Sequence, residues 1–455
     1  MERALLINVC WKDRGYKDPW PPEDSARELR ELAESGGVRV LEEYTLTQDR
    51  PRPARLIGKG KAEELQGLAA ALKSEVVIFG EDLSPGQQRN LEEALGVKVI
   101  DRTQLILDIF AQRAHSQEGK VQVELAQLQY LLPRLIGKGI LLSRLGGGVG
   151  TRGPGEQKLE IDRRRIRDRI SRLRKELGEI ARRRGVARSK REEEQVPVIS
   201  LIGYTNAGKS TLLNALTSSE VFTEDLLFAT LDPTTRRLRL PSGRVVLATD
   251  TVGFIQKLPP TVVAAFRATL EELEEADLLL HVLDVSHPEV RQQRQVVEQT
   301  LRRLGLDQKP CVLVLNKVDQ LGIPPPDLIP RAEAGGAPLR DASGPFVWPE
   351  SLGQEEPWVA VSALRGWGLD ELQRALQTAL ETDMVDLRAC IPFDRGDLLR
   401  QAQEMGSLRT TRHLATGTLV QGQIPRRLAP LFAPYTAGRG RGGAGRRGSP
   451  AVVSS

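Results

Sequence analysis

The residues best suited to chemistry lie mid-chain, where positions 203–211 read G-Y-T-N-A-G-K-S-T directly after the apolar run 198–202. A G-x-x-x-x-G-K-[ST] pattern between a strand and a helix predicts a loop whose backbone N–H groups surround phosphate oxygens. Its lysine lies against the β- and γ-phosphates, its serine supplies a hydroxyl to Mg²⁺, and the helix N-terminus attracts negative charge. The predicted phosphate-binding residues are Gly203, Tyr204, Thr205, Asn206, Ala207, Gly208, Lys209, Ser210 and Thr211.

Three further motifs follow in the order of a guanine-nucleotide site: Asp250-Thr-Val-Gly253, Asn316-Lys-Val-Asp319 and Ser362-Ala363. Asp250 ends an apolar strand and is expected to hold the coordination sphere of Mg²⁺ through water. Gly253 can offer a backbone N–H to the γ-phosphate and so sense its presence. One phosphate-loop match can arise by chance, but four ordered motifs at domain-scale spacing predict a GTPase domain.

The motif at 316–319 is expected to select guanine. The carboxylate of Asp319 can accept from N1 and the exocyclic amine of guanine, and adenine presents no such donors there. Asn316 can reach the same base edge, and the stem of Lys317 can lie over the ring. Ser362 and Ala363 would support the base from the next strand. Alone, this motif could be a polar turn; in this order it predicts a guanine site.

The segment Phe228-Ala-Thr-Leu-Asp-Pro-Thr-Thr235 occupies the position of the first switch loop. Phe228 is expected beside the nucleotide. Thr230 is expected to give Mg²⁺ a second hydroxyl ligand, with Thr234 and Thr235 as rivals; alternatively, these threonines only shape a turn around Pro233. The predicted metal ligands are Ser210, Thr230 and Asp250, and the predicted catalytic residues are Lys209, Thr230 and Gly253.

Phe254 follows Gly253, at a position where many GTPases carry a glutamine that orients the attacking water. A phenylalanine side chain cannot hold water in that way. We therefore expect slow intrinsic hydrolysis, with the water positioned by other groups once a partner is bound.

The bulk properties indicate a multidomain globular protein. With 455 residues, 40% of them hydrophobic and 27% charged, about three domains are expected. No apolar stretch approaches the roughly 18 residues of a membrane-spanning helix, and no secretory signal is evident. Cys10, Cys311 and Cys390 lie far apart and are expected to be reduced. A cytoplasmic monomer without membrane insertion is expected.

Two segments carry an excess of positive charge. Residues 160–195 contain 14 Lys or Arg against 8 Asp or Glu, and residues 438–448 add four arginines and no acidic residue. Local basic excess suggests a polyanionic partner, and a cytoplasmic context favours nucleic acid. The tail itself could be a solubilising disordered end or a weak RNA-binding segment.

Two long helices with matching apolar stripes are predicted, at positions 121, 125, 128, 132 and 135 and at 166, 170, 173, 177 and 180. Between them, residues 143–156 contain six glycines. An antiparallel hairpin with a glycine-rich tip is expected to approach RNA closely, because glycines admit its backbone and arginines neutralise phosphates. A plain flexible connector is the alternative. The predicted RNA-binding residues are Arg144, Gly146, Gly147, Gly148, Gly150, Arg152, Gly153, Gly155 and Lys158.

The alternation of strands and helices predicts a multidomain α/β protein whose P-loop GTPase domain has a mainly parallel sheet. The predicted parts are a small α/β subdomain at 1–102, the helical hairpin at 103–195, the GTPase domain at 196–382 with a Pro/Gly-rich insertion at about 323–354, a small C-terminal α/β domain at 383–435 and a disordered basic tail at 436–455.

Taken together, these motifs resemble the HflX family of ribosome-associated GTPases in the Obg-HflX superfamily. The resemblance rests on the nucleotide motifs and above all on R-L-G-G-G-V-G-T-R-G-P-G-E-x-x-L-E-x-D-R-R-x-I at 144–166, and it spans roughly residues 1–435. It implies binding to the large ribosomal subunit and its rRNA, with the loop from Gly146 to Gly155 reaching toward the peptidyl-transferase region. Some members split ribosomes under stress. The insertion and the tail have no counterpart in the family pattern.

Two classes of function remain open. The chain could be a GTP-controlled factor that binds mature ribosomes and separates their subunits. It could instead be an assembly or signalling GTPase that binds precursor RNA or a protein effector. An ATP-consuming kinase is disfavoured, because Asn316 and Asp319 select guanine and no acceptor site is apparent.

Overall fold

The computed structural model describes residues 1–13, 20–135, 154–194, 196–217, 227–257, 259, 262, 272–321, 357–381, 384–425 and 428–436. The chain divides into two compact units, residues 1–376 and 377–455. The predicted insertion at 323–354, most of the glycine-rich tip and the basic tail lie outside the described residues.

A four-stranded parallel sheet forms from the first hundred residues, as the alternating sequence pattern predicts. Its strand order is β2-β1-β3-β4. The strands are β1 (Arg3–Trp11), β2 (Arg39–Gln48), β3 (Val76–Phe79) and β4 (Lys98–Ile100), and the connecting helices are α1 (Pro22–Ser35), α2 (Lys59–Leu72) and α3 (Pro85–Leu95). Crossover helices cover a parallel sheet, so its strands read as apolar runs; all four residues of β3 are buried.

Local signals set the ends of α3. The side chain of Ser84 accepts from the backbone N–H of Gln87, and the Gln87 side chain accepts from the backbone of Ser84, which completes a capping box. Pro85 stands at the first helical position, where its missing N–H costs nothing. Gly96 ends the helix at a φ of 72°, a left-handed value that favours glycine.

The next helix crosses the predicted boundary at residue 102. This helix, α4 (Arg102–Arg113), buries Ile106, Ile109 and Phe110 in the cluster that also holds Leu6 and Ile78 of the first sheet. The N-terminal subdomain therefore includes α4, and the hairpin begins only after it. The boundary predicted at residue 102 follows the end of the strand–helix alternation, and that pattern does not say which surface covers the next helix.

The hairpin consists of α5 (Gln117–Arg134) and α6 (Pro154–Glu194), which pack against each other. Gln117 bonds to Glu176, and Glu124 forms an ion pair with Arg169, so the two helices run antiparallel. The predicted stripe on α6 is its least exposed face, with Ile170 and Leu173 buried.

A second buried face on α5 was not evident from the sequence. Val123, Ala126 and Tyr130 lie in the same cluster as α4, on a different side of α5 from the predicted stripe. α5 is therefore covered on two sides, by α6 and by the N-terminal subdomain.

The nucleotide motifs belong to a six-stranded sheet of order β10-β9-β8-β5-β7-β6, which is parallel except for β6. Its strands are β5 (Val198–Gly203), β6 (Thr234–Arg239), β7 (Val245–Asp250), β8 (Leu278–Asp284), β9 (Cys311–Asn316) and β10 (Trp358–Ala360). The helices described around it are α7 (Lys209–Thr217), α8 (Val290–Leu304) and α9 (Leu369–Glu381). Because β5, β7 and β9 run parallel, the motifs that follow them share one edge of the sheet.

The second unit has a three-stranded antiparallel sheet of order β11-β13-β12. Its elements are β11 (Met384–Ile391), α10 (Gly396–Met405), β12 (Ser407–Leu414), β13 (Gly417–Pro425) and α11 (Ala429–Phe432). Its core includes Ala389, Leu398, Val420 and Phe432. Among the helices of the described ranges, none combines the length and apolar character needed to span a membrane.

Candidate nucleotide site

The phosphate-loop motif lies between β5 and α7, in the strand–loop–helix setting that the sequence predicts. Gly203 and Gly208 have φ values of 153° and 89°. A Cβ at Gly208 would overlap the Asn316 amide, and one at Gly203 would overlap the carbonyl of Val282. Both positions therefore require glycine for space as well as for backbone conformation. Between them the loop turns through Asn206, whose φ of 60° is also left-handed.

Lys209 is buried at the base of this loop, with only 7% of its surface exposed. Its Nζ donates to the carbonyl oxygens of Tyr204 at 3.0 Å and Gly203 at 3.4 Å. Burial lowers the pKa of Lys209 to about 8, against an opposing effect of the Asp250 carboxylate. A buried ammonium whose partners are mostly neutral carbonyls is suited to anionic phosphate oxygens.

Gly253 lies directly over the lysine. A Cβ at this position would be 2.7 Å from the Cα of Thr205 and 2.9 Å from the Nζ of Lys209. The backbone of the D-x-x-G motif can thus approach the phosphate loop this closely only because residue 253 is glycine.

The three predicted metal ligands converge at one point. Ser210 Oγ lies 2.5 Å from Asp250 Oδ2 and 2.8 Å from Thr230 Oγ1, and Thr230 Oγ1 lies 3.1 Å from Asp250 Oδ2. Within the part of the chain that the structure describes, Asp250 Oδ1 is buried without a hydrogen-bond partner. Burial raises the pKa of Asp250, and Lys209, Ser210 and Thr230 act in the opposite direction. Hard oxygen donors with an unsatisfied carboxylate fit Mg²⁺.

The rival threonines are placed differently. Thr235 Oγ1 lies 3.0 Å from Thr249 Oγ1, and Thr234 opens β6 opposite Asp250 in the strand register. Thr230, which precedes that strand, is the switch hydroxyl that contacts both Ser210 and Asp250.

The guanine motif follows β9, and its asparagine joins three loops. Asn316 Nδ2 donates to the carbonyl of Ala207 at 2.9 Å, and its Oδ1 accepts from the N–H of Ala363 at 3.0 Å. Asn316 thus links the phosphate loop to the Ser362–Ala363 loop. Asp319, half-buried in a short 3₁₀ turn, remains as the carboxylate available to a base edge.

Lys317 and Ser362 are both held by local bonds. Lys317 Nζ pairs with Asp284 at 2.7 Å, so its charged end is fixed while its stem spans the site. Ser362 is buried, and its Oγ accepts from the N–H of Arg365 at 3.1 Å.

Phe254 turns away from the phosphate loop. Its ring is buried in a cluster with Ile202, Leu273 and Ala276. Its backbone N–H donates to Gly203 at 3.0 Å, and its carbonyl accepts from Thr205 at 2.7 Å. Phe254 therefore ties the segment from Asp250 to Gln256, here called the second switch, to the phosphate loop.

Tyr204, one of the predicted nucleotide-binding residues, has its side chain outside the nucleotide site. The backbone of Tyr204 belongs to the phosphate loop, but its side chain points into the N-terminal subdomain. Its ring stacks on Trp20 at a centroid distance of 5.7 Å, and its hydroxyl donates to Glu28 of α1. Glu28 also pairs with Arg102, which donates to the carbonyl of Gln256 at 3.0 Å. A tyrosine inside a phosphate-loop motif gives no signal of such a partner, so sequence reasoning missed it.

The other site predictions are placed as follows. Phe228 is buried and meets Phe110 edge to face, at a centroid distance of 4.8 Å. Gly155 and Lys158 belong to the first turns of α6. The other predicted RNA-binding residues, from Arg144 to Gly153, lie outside the described residues.

Three family profiles match the chain. Residues 23–111 match the N-terminal region of GTP-binding GTPases, and residues 113–191 match their middle region. Residues 198–317 match the profile described as a 50S ribosome-binding GTPase. The α/β class with a mainly parallel GTPase sheet, predicted from the sequence, is thereby confirmed.

Individual proteins extend the match. The HflX GTPase of Caldanaerobacter subterraneus subsp. tengcongensis is 54% identical over 324 residues, covering 71% of this chain and 74% of the relative. That of Lacrimispora saccharolytica is 43% identical over 432 residues, covering 95% of each chain. A GTP-binding protein of Sulfolobus solfataricus solved with GDP is 25% identical, covers 83% of this chain and 98% of its own, and has a TM-score of 0.42. Because the Lacrimispora relative matches over nearly its whole length, the resemblance seen in the motifs is confirmed, and the chain belongs to the HflX family of GTPases.

Proposed function

We propose that this chain is a GTP-hydrolysing factor that binds the large ribosomal subunit and splits ribosomes under GTP control. The observation that carries the proposal is the convergence of Ser210, Thr230 and Asp250 beside a buried lysine, in a chain whose residues 198–317 match a 50S ribosome-binding GTPase. This arrangement makes the first switch part of the nucleotide site, so its conformation can depend on the γ-phosphate.

The phosphates lie in the loop between Gly203 and Gly208, with Lys209 against the β- and γ-phosphates. Backbone N–H groups of the loop and the start of α7 supply further donors. The carboxylate of Asp319 binds the guanine edge. The side-chain amide of Asn316 forms two hydrogen bonds that hold the Ser362–Ala363 loop against the phosphate loop.

Ser210, Thr230 and Asp250 would hold Mg²⁺. When bound, the ion would neutralise charge between the β- and γ-phosphates. Among the described residues, both hydroxyls donate to Asp250 Oδ2 and Oδ1 has no hydrogen-bond partner, so the three oxygen donors are held together. Thr230 and Gly253 approach the γ-phosphate from the two switches, and both lose a partner when it leaves.

The intrinsic rate of hydrolysis is slow, because Phe254 offers no group to orient water and its ring is committed to the core. Ribosome contact supplies the missing positioning. A comparison of single-turnover rates with and without 70S ribosomes measures this stimulation; a ratio near one would contradict it.

Sedimentation of 70S ribosomes through sucrose tests the splitting function. With a non-hydrolysable GTP analogue, the 70S peak should give way to separate subunits; with GDP it should persist. Deletion of residues 146–155 should leave GTP affinity intact and abolish splitting. If the 70S peak persists without bound protein in the analogue sample, the alternative of an assembly or signalling GTPase replaces this proposal.

A further inference from the structure

The first switch lies against the N-terminal subdomain. Leu227, Phe228 and Leu231 are buried in the same cluster as Ile106 and Phe110 of α4. The backbone N–H of Leu227 also donates to the side chain of Ser35, at the end of α1, at 3.0 Å. The switch segment 227–232 therefore packs against the N-terminal subdomain, outside the GTPase sheet.

At the end of this segment, Asp232 binds the start of the hairpin helix α5. Its Oδ2 accepts from the backbone N–H groups of His115 at 2.8 Å and Ser116 at 2.7 Å. Its Oδ1 accepts from the hydroxyl of Ser116 at 2.5 Å. Ser116 is the N-cap of α5, where its Oγ accepts from Gly119 at 2.9 Å. A carboxylate at this place also interacts favourably with the positive end of the helix dipole.

Gly119 makes this contact possible. A Cβ at Gly119 would overlap Oδ1 of Asp232 and lie 3.1 Å from Ser116 Oγ. Gly119 is in the first turn of α5, and its φ is not among the left-handed values. Glycine is therefore needed here for the approach of Asp232 and not for backbone conformation, although alanine favours a helix more.

Asp232 lies two residues after Thr230, which joins Ser210 and Asp250 in the metal-binding set. Two residues span at most about 7 Å of chain. A movement that takes Thr230 out of this set therefore acts directly on the carboxylate that holds α5.

We propose that Asp232 is a positioning residue that couples the nucleotide state of the site to the hairpin, by holding the N-terminus of α5 when Thr230 is engaged with GTP and Mg²⁺. This rests on the proposed function, in which the hairpin is the RNA-binding arm. Coupling between two sites is reciprocal: GTP fixes the hairpin, and a hairpin fixed by its partner favours the GTP-bound switch.

Hydrogen exchange at residues 115–122 of the full chain tests the coupling without ribosomes. In the unmodified protein, a non-hydrolysable GTP analogue with Mg²⁺ should slow exchange in this segment at least about fivefold relative to GDP. Asp232→Ala should abolish that difference and leave GDP affinity within about twofold of the unmodified value, because Asp232 contacts α5 and not the phosphate loop. Exchange in residues 123–134 shows whether α5 remains folded.

Gly119→Ala disrupts the contact between Asp232 and α5 by a change in the helix, because the added Cβ would overlap Asp232 Oδ1. It removes no cap acceptor and favours helix formation, yet it should also abolish the nucleotide-dependent difference. Ser84→Ala is the matched control: it removes the capping serine of α3, and the difference at 115–122 should persist. The coupling is refuted if the unmodified protein shows no difference between nucleotides, or if either Asp232→Ala or Gly119→Ala retains the full one. Neither result bears on splitting, which sedimentation measures separately.

Discussion

The hydroxyl of Tyr204 in the phosphate loop donates to the carboxylate of Glu28, which lies 176 residues earlier in the chain. The same hydroxyl accepts from the N–H of Gln256 in the second switch at 2.8 Å. Arg102 closes the ring by binding both Glu28 and the carbonyl of Gln256. These hydrogen bonds join the phosphate loop, the segment around Gln256 and the N-terminal subdomain, so they position one another, although Arg102 Nε is buried without a hydrogen-bond partner among the described residues.

Tyr204→Phe should lower the free energy of unfolding of the first unit by about 1–3 kcal/mol, because the buried Glu28 carboxylate loses a donor. Burial and the neighbouring Glu28 raise the pKa of Tyr204 well above its ordinary value, so the hydroxyl keeps its proton and remains the donor. Urea unfolding followed by fluorescence measures the change. Tyr44→Phe is the control, since Tyr44 makes the same tyrosine–glutamate bond with Glu64 at the surface. Equal shifts of the two midpoints would contradict a special role for the buried network.

Nucleotide affinity should fall as pH rises above 8. In the free protein, burial lowers the pKa of Lys209 to about 8. Bound phosphates favour the ammonium form and raise that pKa, so binding takes up a proton wherever the free lysine is neutral. Below pH 8 the affinity should change little. Between pH 7 and pH 9 the Kd for GDP should rise about tenfold, one decade for each pH unit beyond the free pKa.

Lys209→Arg separates deprotonation of Lys209 from titration of the guanine base of the nucleotide. A guanidinium stays charged across the range, so the variant should bind more weakly at pH 7 but with a flatter pH profile. Isothermal titration at each pH gives both profiles. Parallel profiles for the two proteins would show that Lys209 is charged throughout.

Thr230→Ala should weaken binding of a GTP analogue in the presence of Mg²⁺ by about tenfold, because the variant lacks the hydroxyl that would contact Mg²⁺ and that bonds to Ser210 and Asp250. GDP affinity should change less, because the first switch acts on the γ-phosphate. Thr230→Ser should restore most of the loss, since it keeps the hydroxyl. The control is Thr235→Ala, whose hydroxyl pairs with Thr249 instead. Equal losses in Thr230→Ala and Thr235→Ala, measured with fluorescent nucleotides, would shift the ligand assignment away from Thr230.

Gly208→Ala should reduce GDP affinity by at least about a hundredfold, because the added Cβ overlaps the Asn316 amide that ties the loops together. Gly243→Ala separates crowding from backbone strain. Gly243 has a φ of 83°, close to the 89° of Gly208, but open space around it. It should cost some stability and leave GDP affinity unchanged. A comparable loss of affinity in both variants would mean that strain alone explains Gly208.

The sequence was sufficient to predict the α/β class, the mainly parallel GTPase sheet and the order of the motifs that meet at its edge. These features depend on patterns that are local or ordered along the chain: apolar runs, glycines at fixed spacing, and motifs that follow parallel strands. Because such strands end at one edge, chain order alone brings Ser210, Asp250 and Asn316 together.

Only the tertiary structure decided what surrounds that site. The packing of the first switch on α4, the hydrogen bonds from α5 to Asp232 and the hydrogen bond from Tyr204 to Glu28 each join residues more than a hundred positions apart. The sequence marks these residues as polar or apolar, but any of several surfaces could satisfy them. Burial and hydrogen bonding lower the free energy whenever a complementary partner is present, whatever its position in the chain. The partner of each residue is therefore decided only when the subdomains pack.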